Sequence, residues 1–283
     1  MVSSTALNCG ILAPLRCGDV PTPYLRSFVP ISESSQEHPL GFGTMRVIVR
    51  GALALALTTS LIAPAAPANA KAKPYCERHK CIALTFDDGP WPYTPALLDT
   101  LKKHKAKATF FVLGRKVESR VEMMKRMVDE GHEIGNHTWD HPDLTKLSDE
   151  EIISEIVGTQ EVIQQTAGVT PTFMRPPNGA TNSRVGSLME TLGLPQILWT
   201  GSTLDWQARN TKVIKERTLK FARRDAVILL HDIVPETVKA METVVDTLTK
   251  KGYKLVTVST LLGDRVLKPG EAWPKPPKPA EKK

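Results

Sequence analysis

The sequence contains no apolar run of the ~18–20 residues that a helical membrane span requires. Its longest apolar run, residues 51–63, has only thirteen residues. Cysteines number four in the whole chain, and the two that follow residue 70 are too few for a four-cysteine metal site. With 41% hydrophobic and 24% charged residues, the composition is that of a globular protein. It excludes collagen-like, coiled-coil and wholly disordered chains.

The short apolar run is typical of a secretory signal peptide. Arg46 and Arg50 precede it, and a stretch of small residues and prolines that ends at Ala70 follows it. A basic start, a short apolar centre and a small-x-small end predict export, with residues 45–70 as the signal and cleavage after Ala70. A buried helix is the alternative. Because the predicted signal begins with its own methionine, we expect residues 1–44 to be a disordered, non-native upstream extension.

The predicted mature chain has one cysteine pair and an unusual C-terminal end. Cys76 and Cys81 form an even pair in an exported chain, which favours a small disulfide loop over a pair of metal ligands. Residues 268–283 contain five prolines and five lysines with almost nothing apolar, so we predict a disordered tail. This tail is either solvated without a partner or an arm that binds anionic cell-wall polymer.

Between these ends, short apolar runs alternate with longer amphipathic ones. Residues 82–86 and 196–200 are typical of strands, and Ser148 with Glu151 three residues later predicts a helix that begins with a capping box. About seven rounds of strand and helix predict one α/β domain over residues 71–267 with parallel strands. Periodicity alone leaves two architectures open, a doubly wound sheet and a (β/α) barrel.

Carboxylates and histidines follow the predicted strands. In parallel α/β folds the chemically active residues lie at the carboxyl ends of the strands. Asp87 and Asp88 follow the first strand, and the glycine and proline at 89–90 break that strand so that both carboxylates can converge. His137 and His141 follow the third strand and would share one face if the segment is helical.

Asp88, His137 and His141 would form a site with two histidines and one carboxylate. Three protein ligands leave positions open for water and substrate, which is typical of a catalytic metal. Nitrogen and oxygen ligands suit zinc, with cobalt, nickel or iron as alternatives. A plain turn at the aspartates and two unrelated surface histidines are the competing interpretation.

The ordered set of motifs resembles the NodB-homology polysaccharide deacetylases, carbohydrate esterase family 4. The resemblance covers about residues 80–262, and its first two motifs are highly specific. Ser202 stands where the fourth motif of the family has its first aspartate. The matching segments are residues 85–89, 137–141, 175–179, 202–206 and 229–231.

The resemblance implies a distorted (β/α)7 barrel and roles for individual residues. Asp87 would be the general base, and His231 the general acid. The metal ligands would be the aspartate and two histidines already named. The backbone N–H of Asn178 would donate a hydrogen bond to the oxyanion.

The same resemblance implies the surroundings of these groups. Arg175 would pair with Asp87 and would be held by Asp205. Trp206 and Leu229 would line the pocket for the acetyl methyl group.

The implied function is that of a secreted, metal-dependent deacetylase. It would hydrolyse N-acetyl groups of a GlcNAc-containing polymer, either peptidoglycan or chitin-like, and release acetate. An O-acetyl esterase on xylan is the alternative within the family, and an inactive cell-wall-binding module is the alternative from another class. The net charge of +7 favours anionic surroundings, but nucleic acid is a poor candidate partner for an exported chain. We expect a monomer.

Overall fold

The computed structural model of the protein describes residues 73–275. The predicted upstream extension and signal peptide lie outside the described residues, as do residues 276–283. Within the part that is described, no helix combines the length and apolar character that crossing a membrane requires.

Strands and helices alternate along the described chain. The strands are β1 (Lys80–Asp87), β2 (Thr109–Val112), β3 (Glu133–Asn136), β4 (Gln196–Ile197), β5 (Gly201–Ser202), β6 (Ala226–His231), β7 (Tyr253–Leu255) and β8 (Ala272–Trp273). The helices are α1 (Tyr75–Arg78), α2 (Thr94–Lys103), α3 (Gly114–Val117), α4 (Val121–Asp129), α5 (Asp149–Ala167), α6 (Ser183–Thr191), α7 (Asp205–Ala208), α8 (Thr211–Phe221), α9 (Pro235–Lys250) and α10 (Val258–Leu262).

The strands form a parallel sheet that curves toward closure. The order is β3-β2-β1-β6-β5, and β7 pairs with the first residues of β1. Beyond β3, Met174 forms isolated bridges to Asn136 and to Gln196 of β4, which itself pairs with β8. Only three residues separate β4 from β5, so the chain itself joins the two ends of the sheet. The α/β fold class is confirmed, and this arrangement agrees with a distorted (β/α)7 barrel rather than an open sheet.

Apolar side chains explain why these segments pack as they do. In β1 every residue after Lys80 is buried, as expected for a strand covered on both sides. Leu97, Leu98 and Leu101 form the buried face of α2, and each contributes about 1.5–3 kcal/mol on burial. This packing fixes the strands, and therefore fixes where their carboxyl ends meet.

Local signals in the sequence are confirmed at one helix and fail at one strand. The Ser148 hydroxyl accepts a hydrogen bond from the Glu151 N–H, and the Glu151 carboxylate accepts one from the Ser148 N–H. This is the predicted capping box. The strand predicted over residues 196–200 is wrong beyond Ile197, because the chain there exchanges one pairing partner for another. Thr200 already donates its N–H to Val227 O of β6 (2.8 Å).

The C-terminal end is ordered further than composition suggests. The prediction of a disordered tail is wrong for residues 268–275, because β8 pairs with β4 in this segment. The Leu198 N–H donates to Trp273 O (2.7 Å), and the Gln196 N–H donates to Glu271 O (2.8 Å). Trp273 also packs against an apolar cluster of the domain. The Gly270 N–H also donates to Leu194 O (3.0 Å). One tryptophan and three backbone hydrogen bonds therefore hold a segment that is otherwise rich in proline and lysine.

The predicted disulfide between Cys76 and Cys81 is confirmed. Cys76 lies in α1 and Cys81 in β1, so the bond attaches the first helix to the first strand. Arg224 strengthens this attachment by donating to the carbonyl oxygens of Cys76 and Glu77.

Candidate active site

The two aspartates at the end of β1 diverge from regular strand geometry. Asp87 is the last strand residue and is buried, whereas Asp88 has a φ of 71°. This left-handed conformation costs a non-glycine residue roughly 1–2 kcal/mol, and it brings both carboxylates to the same side. His137 Nε2 lies 3.7 Å from Asp87 Oδ2 and 3.4 Å from Asp88 Oδ1. The strand therefore breaks at Asp88 itself, one residue before the predicted glycine and proline.

The turn that follows Asp88 rests on a second buried carboxylate. A Cβ atom at Gly89 would lie 2.2 Å from Asp232 Oδ2, so only glycine fits. Asp232 accepts a hydrogen bond from the Thr94 hydroxyl, and burial raises the pKa of Asp232 to about 7. On the other side, Lys116 Nζ donates to Asp88 O (2.8 Å). These contacts hold Asp88 in its unfavourable conformation.

The two histidines converge through a loop and not through a helix. Thr138 and His141 both have left-handed backbones, with φ values of 70° and 66°. The Thr138 N–H donates to Asn136 Oδ1 (2.8 Å), and the His141 N–H donates to Thr138 Oγ1 (3.1 Å). The imidazole rings of His137 and His141 lie 5.0 Å apart. His137 and His141 lie close together as expected, but they do not share a helix face.

Helix α5 holds the outer part of this histidine loop. Glu155 Oε2 accepts the backbone N–H groups of Trp139 (2.8 Å) and Asp140 (2.9 Å). Asn136 donates its side-chain amide to Ile156 O (2.9 Å) of the same helix. The loop is therefore attached to α5 through its middle and through the strand residue that precedes it.

The geometry of Asp88, His137 and His141 fits a divalent metal ion. One potential ligand atom from each residue lies within 4.8 Å of the other two. Asp88 Oδ1 is buried and accepts no hydrogen bond from any described residue. Because buried polar atoms normally have a partner, this oxygen is expected to bind a cation. His137 Nδ1 lies 2.7 Å from Arg175 O, so Nδ1–H donates there and Nε2 is left as the ligand atom.

Electrostatics favour an ionised Asp88. Burial alone would raise the pKa of Asp88, but the imidazole of His137 and the charges of His231 and His141 outweigh it. The pKa of Asp88 is therefore held below its usual value. Burial lowers the pKa of His141, which favours the neutral imidazole that a metal requires.

Arg175 is fully buried and binds Asp87 directly. Arg175 Nη1 donates to Asp87 Oδ1 (2.7 Å) and to Thr85 Oγ1 (2.8 Å). The other guanidinium nitrogens donate to the carbonyl oxygens of Ile197 (2.9 Å) and Leu198 (3.0 Å). The expected pair with Asp87 is therefore present, whereas the expected support from Asp205 is wrong.

Asp205 instead holds His231. Asp205 Oδ1 lies 2.8 Å from His231 Nδ1, and Asp205 Oδ2 accepts the His231 N–H (2.8 Å) and the Thr237 hydroxyl (2.7 Å). Burial alone would lower the pKa of His231, but the hydrogen bond and charge of Asp205 raise it to about 9. The His231 ring is therefore protonated on both nitrogens at neutral pH, and its Nε2–H is free to donate.

These groups surround one cavity of about 430 Å³. One part of its lining consists of Asp87, Asp88, His137, His141 and His231. The remaining wall consists of Asn178, Trp199, Ser202, Leu204, Trp206 and Leu229. Trp206 is 57% exposed at the rim, whereas Leu229 is buried. Asn178 has a φ of 57°, which agrees with the flexible dihedrals expected of an Asn-Gly pair. Arg175 and Asp205 lie behind this surface.

Several supporting residues were not predicted from the sequence. Glu155 lies fourteen residues beyond His141, and Thr237 lies six residues beyond His231, so neither belongs to a recognisable motif. Asp232 directly follows His231, but an aspartate after a strand carries no signal of burial. Only Asn136, which directly precedes the histidine motif, could have been found by inspection.

Comparisons with known proteins agree with the sequence motifs and the fold. A family model described as polysaccharide deacetylase matches residues 75–197. Peptidoglycan-N-acetylglucosamine deacetylase PgdA of Listeria monocytogenes serotype 1/2a (strain 10403S) is 44% identical over 194 residues, which are 68% of this chain and 41% of the relative. Peptidoglycan-N-acetylmuramic acid deacetylase PdaC of Bacillus subtilis (strain 168) is 45% identical over 183 residues, which are 64% of this chain and 38% of the relative. This chain thus spans about two fifths of the length of either relative.

A solved structure described as T48 deacetylase with substrate is similar along almost its whole length. The TM-score is 0.68 at 45% identity, and the match covers 70% of this chain and 98% of that one. Because the family model and this structural match agree with the sequence motifs and the fold, the chain belongs to the NodB-homology polysaccharide deacetylases, carbohydrate esterase family 4.

Proposed function

We propose that the protein is an exported, metal-dependent deacetylase that removes N-acetyl groups from amino sugars of peptidoglycan. The observation that carries this proposal is the arrangement of acid and base around one cavity. Asp87 lies beside the candidate metal ligands, and protonated His231 lies in the same cavity. Hydrolysis of an amide needs both groups, since water must lose a proton and the leaving amine must gain one.

A bound zinc ion would supply Lewis acidity, which polarises the amide carbonyl and lowers the pKa of water. Asp87 accepts a proton from the attacking water, and such base catalysis contributes typically ~10²–10⁴-fold. Arg175 fixes the orientation of the Asp87 carboxylate through its 2.7 Å hydrogen bond. Cobalt, nickel and iron are alternatives to zinc with the same ligands.

The remaining groups act on the carbonyl and on the leaving amine. The Asn178 N–H donates to the developing oxyanion, and its left-handed backbone sets the direction of that N–H. His231 donates its proton to the amine nitrogen, since an amide anion is too basic to leave. Trp206 and Leu229 enclose the acetyl methyl group, and Ser202 adds a small polar surface to the same wall.

Three observations support the choice of substrate and compartment. The relatives described above are named for N-acetylglucosamine and N-acetylmuramic acid of peptidoglycan. The Cys76–Cys81 disulfide is typical of exported proteins. The apolar run at residues 51–63, with its basic start and its end at Ala70, has the pattern of a signal peptide.

A substrate panel tests this proposal. The purified protein is stripped with a chelator, reloaded with zinc, and given N-acetyl chitooligosaccharide, peptidoglycan glycan strands or acetylated xylan while acetate is measured. We expect acetate from the N-acetylated substrates only after zinc is restored. Acetate from xylan alone would replace this proposal with an O-acetyl esterase, and no acetate from any substrate would favour a wall-binding module.

A further inference from the structure

The end of the barrel opposite the cavity carries a concentrated positive charge. We call the segments that lead into β1, β2, β3, β6 and β7 the amino-end face; they are residues 73–80, 102–107, 129–133, 223–225 and 250–254. They contain twelve Lys and Arg against five Asp and Glu, a net charge of +7. All described residues together contain 29 basic and 26 acidic side chains. The remaining 17 basic and 21 acidic residues therefore have a net charge of −4.

The five segments form one continuous surface because the strands are parallel. Lys80 pairs in register with Tyr253, and Lys80 Nζ lies 3.9 Å from the centre of the Tyr253 ring. The Lys107 N–H donates to Leu255 O (3.0 Å), and the Tyr253 hydroxyl donates to Ala222 O (3.1 Å), just before Arg223. The eight residues of β1 separate this surface from Asp87 by about 23 Å at 3.3 Å per residue.

Many of these charges are available to a partner. Lys105, Lys251 and Lys254 are exposed, and no described residue forms a salt bridge with any of them. Other lysines of the face have acidic neighbours: Lys102 pairs with Glu130 (3.3 Å), Lys103 with Glu242 (3.3 Å) and Lys250 with Asp246 (2.8 Å). The three lysines are exposed, and pairs at the surface contribute little. Glu242 and Asp246 lie just outside the five segments, and counting them leaves twelve basic against seven acidic residues, a net charge of +5. Since charges within a Debye length of ~8–10 Å act together, the face attracts anions as a unit.

The distribution of the charges indicates what kind of anion fits. The lysines are dispersed over several loops and do not converge on one pocket, which suits a long flexible polyanion better than a single small ion. A membrane surface would also require exposed apolar anchors. Among the exposed large apolar side chains of the described chain, only Tyr75 belongs to this face, and it is 41% exposed.

We propose that the amino-end face binds a linear phosphate-rich polymer of the cell wall, with the catalytic cavity directed away from it. This inference rests on the proposed function only for the choice of the wall as its setting. Binding would keep the enzyme in the wall while the cavity remains free for glycan. Because the attraction is electrostatic, it weakens steeply as salt is added.

A pair of matched triple variants tests this proposal. Lys105, Lys251 and Lys254 are changed to Glu in the first variant, and three exposed lysines elsewhere, Lys146, Lys212 and Lys239, are changed to Glu in the second. Both changes alter the net charge by −6. Inorganic polyphosphate is the probe, and its affinity for the purified protein is measured from low to moderate salt.

We expect the first variant to lose at least about tenfold in affinity with a smaller salt dependence, and the second to lose less than about threefold. Equal losses of affinity in the two variants would show that net charge alone attracts the polymer. Unchanged affinity in both variants would show that the amino-end face does not bind it. Both results overturn the proposal. Vesicles of anionic phospholipid that bind more tightly than polyphosphate, and lose binding in the first variant, would also overturn it in favour of a membrane.

Acetate release from a short N-acetyl chitooligosaccharide separates this proposal from the proposed catalytic function. We expect both triple variants to retain wild-type turnover on that substrate, since none of the six lysines lines the cavity. On intact cell walls, only the first variant should be slower. A first variant that deacetylates intact walls at the wild-type rate would contradict the binding role even if the enzyme is fully active.

Discussion

Replacing Asp205 by Asn removes the negative charge next to His231 and leaves the shape of the side chain at position 205 almost unchanged. In the wild-type protein, Asp205 accepts hydrogen bonds from the His231 ring, the His231 N–H and the Thr237 hydroxyl. An asparagine offers only one oxygen, so its amide faces His231 Nδ1 as a donor. The neutral imidazole then becomes the favoured form of His231.

The size of the effect follows from the pKa of His231. Its elevation from 6.5 to about 9 corresponds to a preference for the imidazolium on the order of 3 kcal/mol, at 1.36 kcal/mol per pKa unit. Asp205 supplies the largest favourable part of this. Because the folded-state pKa is raised, the stabilisation is fully present below pH 6.5 and is lost as the pH rises through about 9.

The assay is the free energy of unfolding in urea, measured from pH 5 to pH 10 in the presence of a chelator. We expect Asp205→Asn to be less stable than wild type by about 3 kcal/mol near pH 6, with the gap in free energy of unfolding narrowing progressively from pH 6.5 and nearly closed by about pH 9. Thr237→Val is the control, since it keeps the charge of Asp205 and should keep the pKa of His231 near 9. A constant gap across the pH range would refute the reasoning.

Catalysis should show the same coupling: the alkaline limb of kcat should move to lower pH in Asp205→Asn, and an unmoved limb would exclude His231 as the acid. Arg175→Met should leave the Asp87 carboxylate buried without its partner and should lower the free energy of unfolding by about 3–5 kcal/mol, measured by urea titration. Glu155→Leu should weaken zinc binding because the histidine loop loses its acceptor, whereas Glu155→Gln should bind zinc like wild type in a competition assay. Gly89→Ala should cost about 1–3 kcal/mol and reduce zinc affinity; a variant as stable as wild type would show that the turn relaxes freely.

The chemistry-bearing residues were predictable because each follows a strand. Parallel strands bring their carboxyl ends to one edge, so Asp88, His137 and His231 meet regardless of the details of each loop. The sequence also contained the motif order that resembles a known family. Residues that lie in motifs at strand ends are therefore the part of the site that sequence reasoning locates well.

Partners of those residues were less predictable. The assignment of Asp205 to Arg175 failed because two buried polar groups compete for the same carboxylate, and only the packed geometry decides between them. Arg175 reaches two backbone carbonyl groups instead. Glu155 binds two backbone N–H groups, and sequence patterns do not report which loop amides lack an acceptor.

Composition also failed to predict the ordered segment near the C-terminal end. Proline and lysine content predicts a tail that cannot bury apolar surface, and residues 276–283 lie outside the described residues. Trp273 and the pairing of β8 with β4 change the outcome for residues 268–275, because they add an apolar contact and backbone hydrogen bonds that composition does not report. The average composition of sixteen residues does not show the effect of a single tryptophan.

The central claim is that Asp88, His137 and His141 hold a metal ion while Asp87 remains free to accept a proton. Zinc content and acetate release from N-acetyl chitooligosaccharide, measured on the same preparation of Asp87→Asn, test it most directly. The account predicts one zinc ion per chain, as in wild type, together with a loss of turnover of at least about 10²-fold. Wild-type turnover in Asp87→Asn, or the loss of its zinc, would contradict the division of roles between the two neighbouring aspartates.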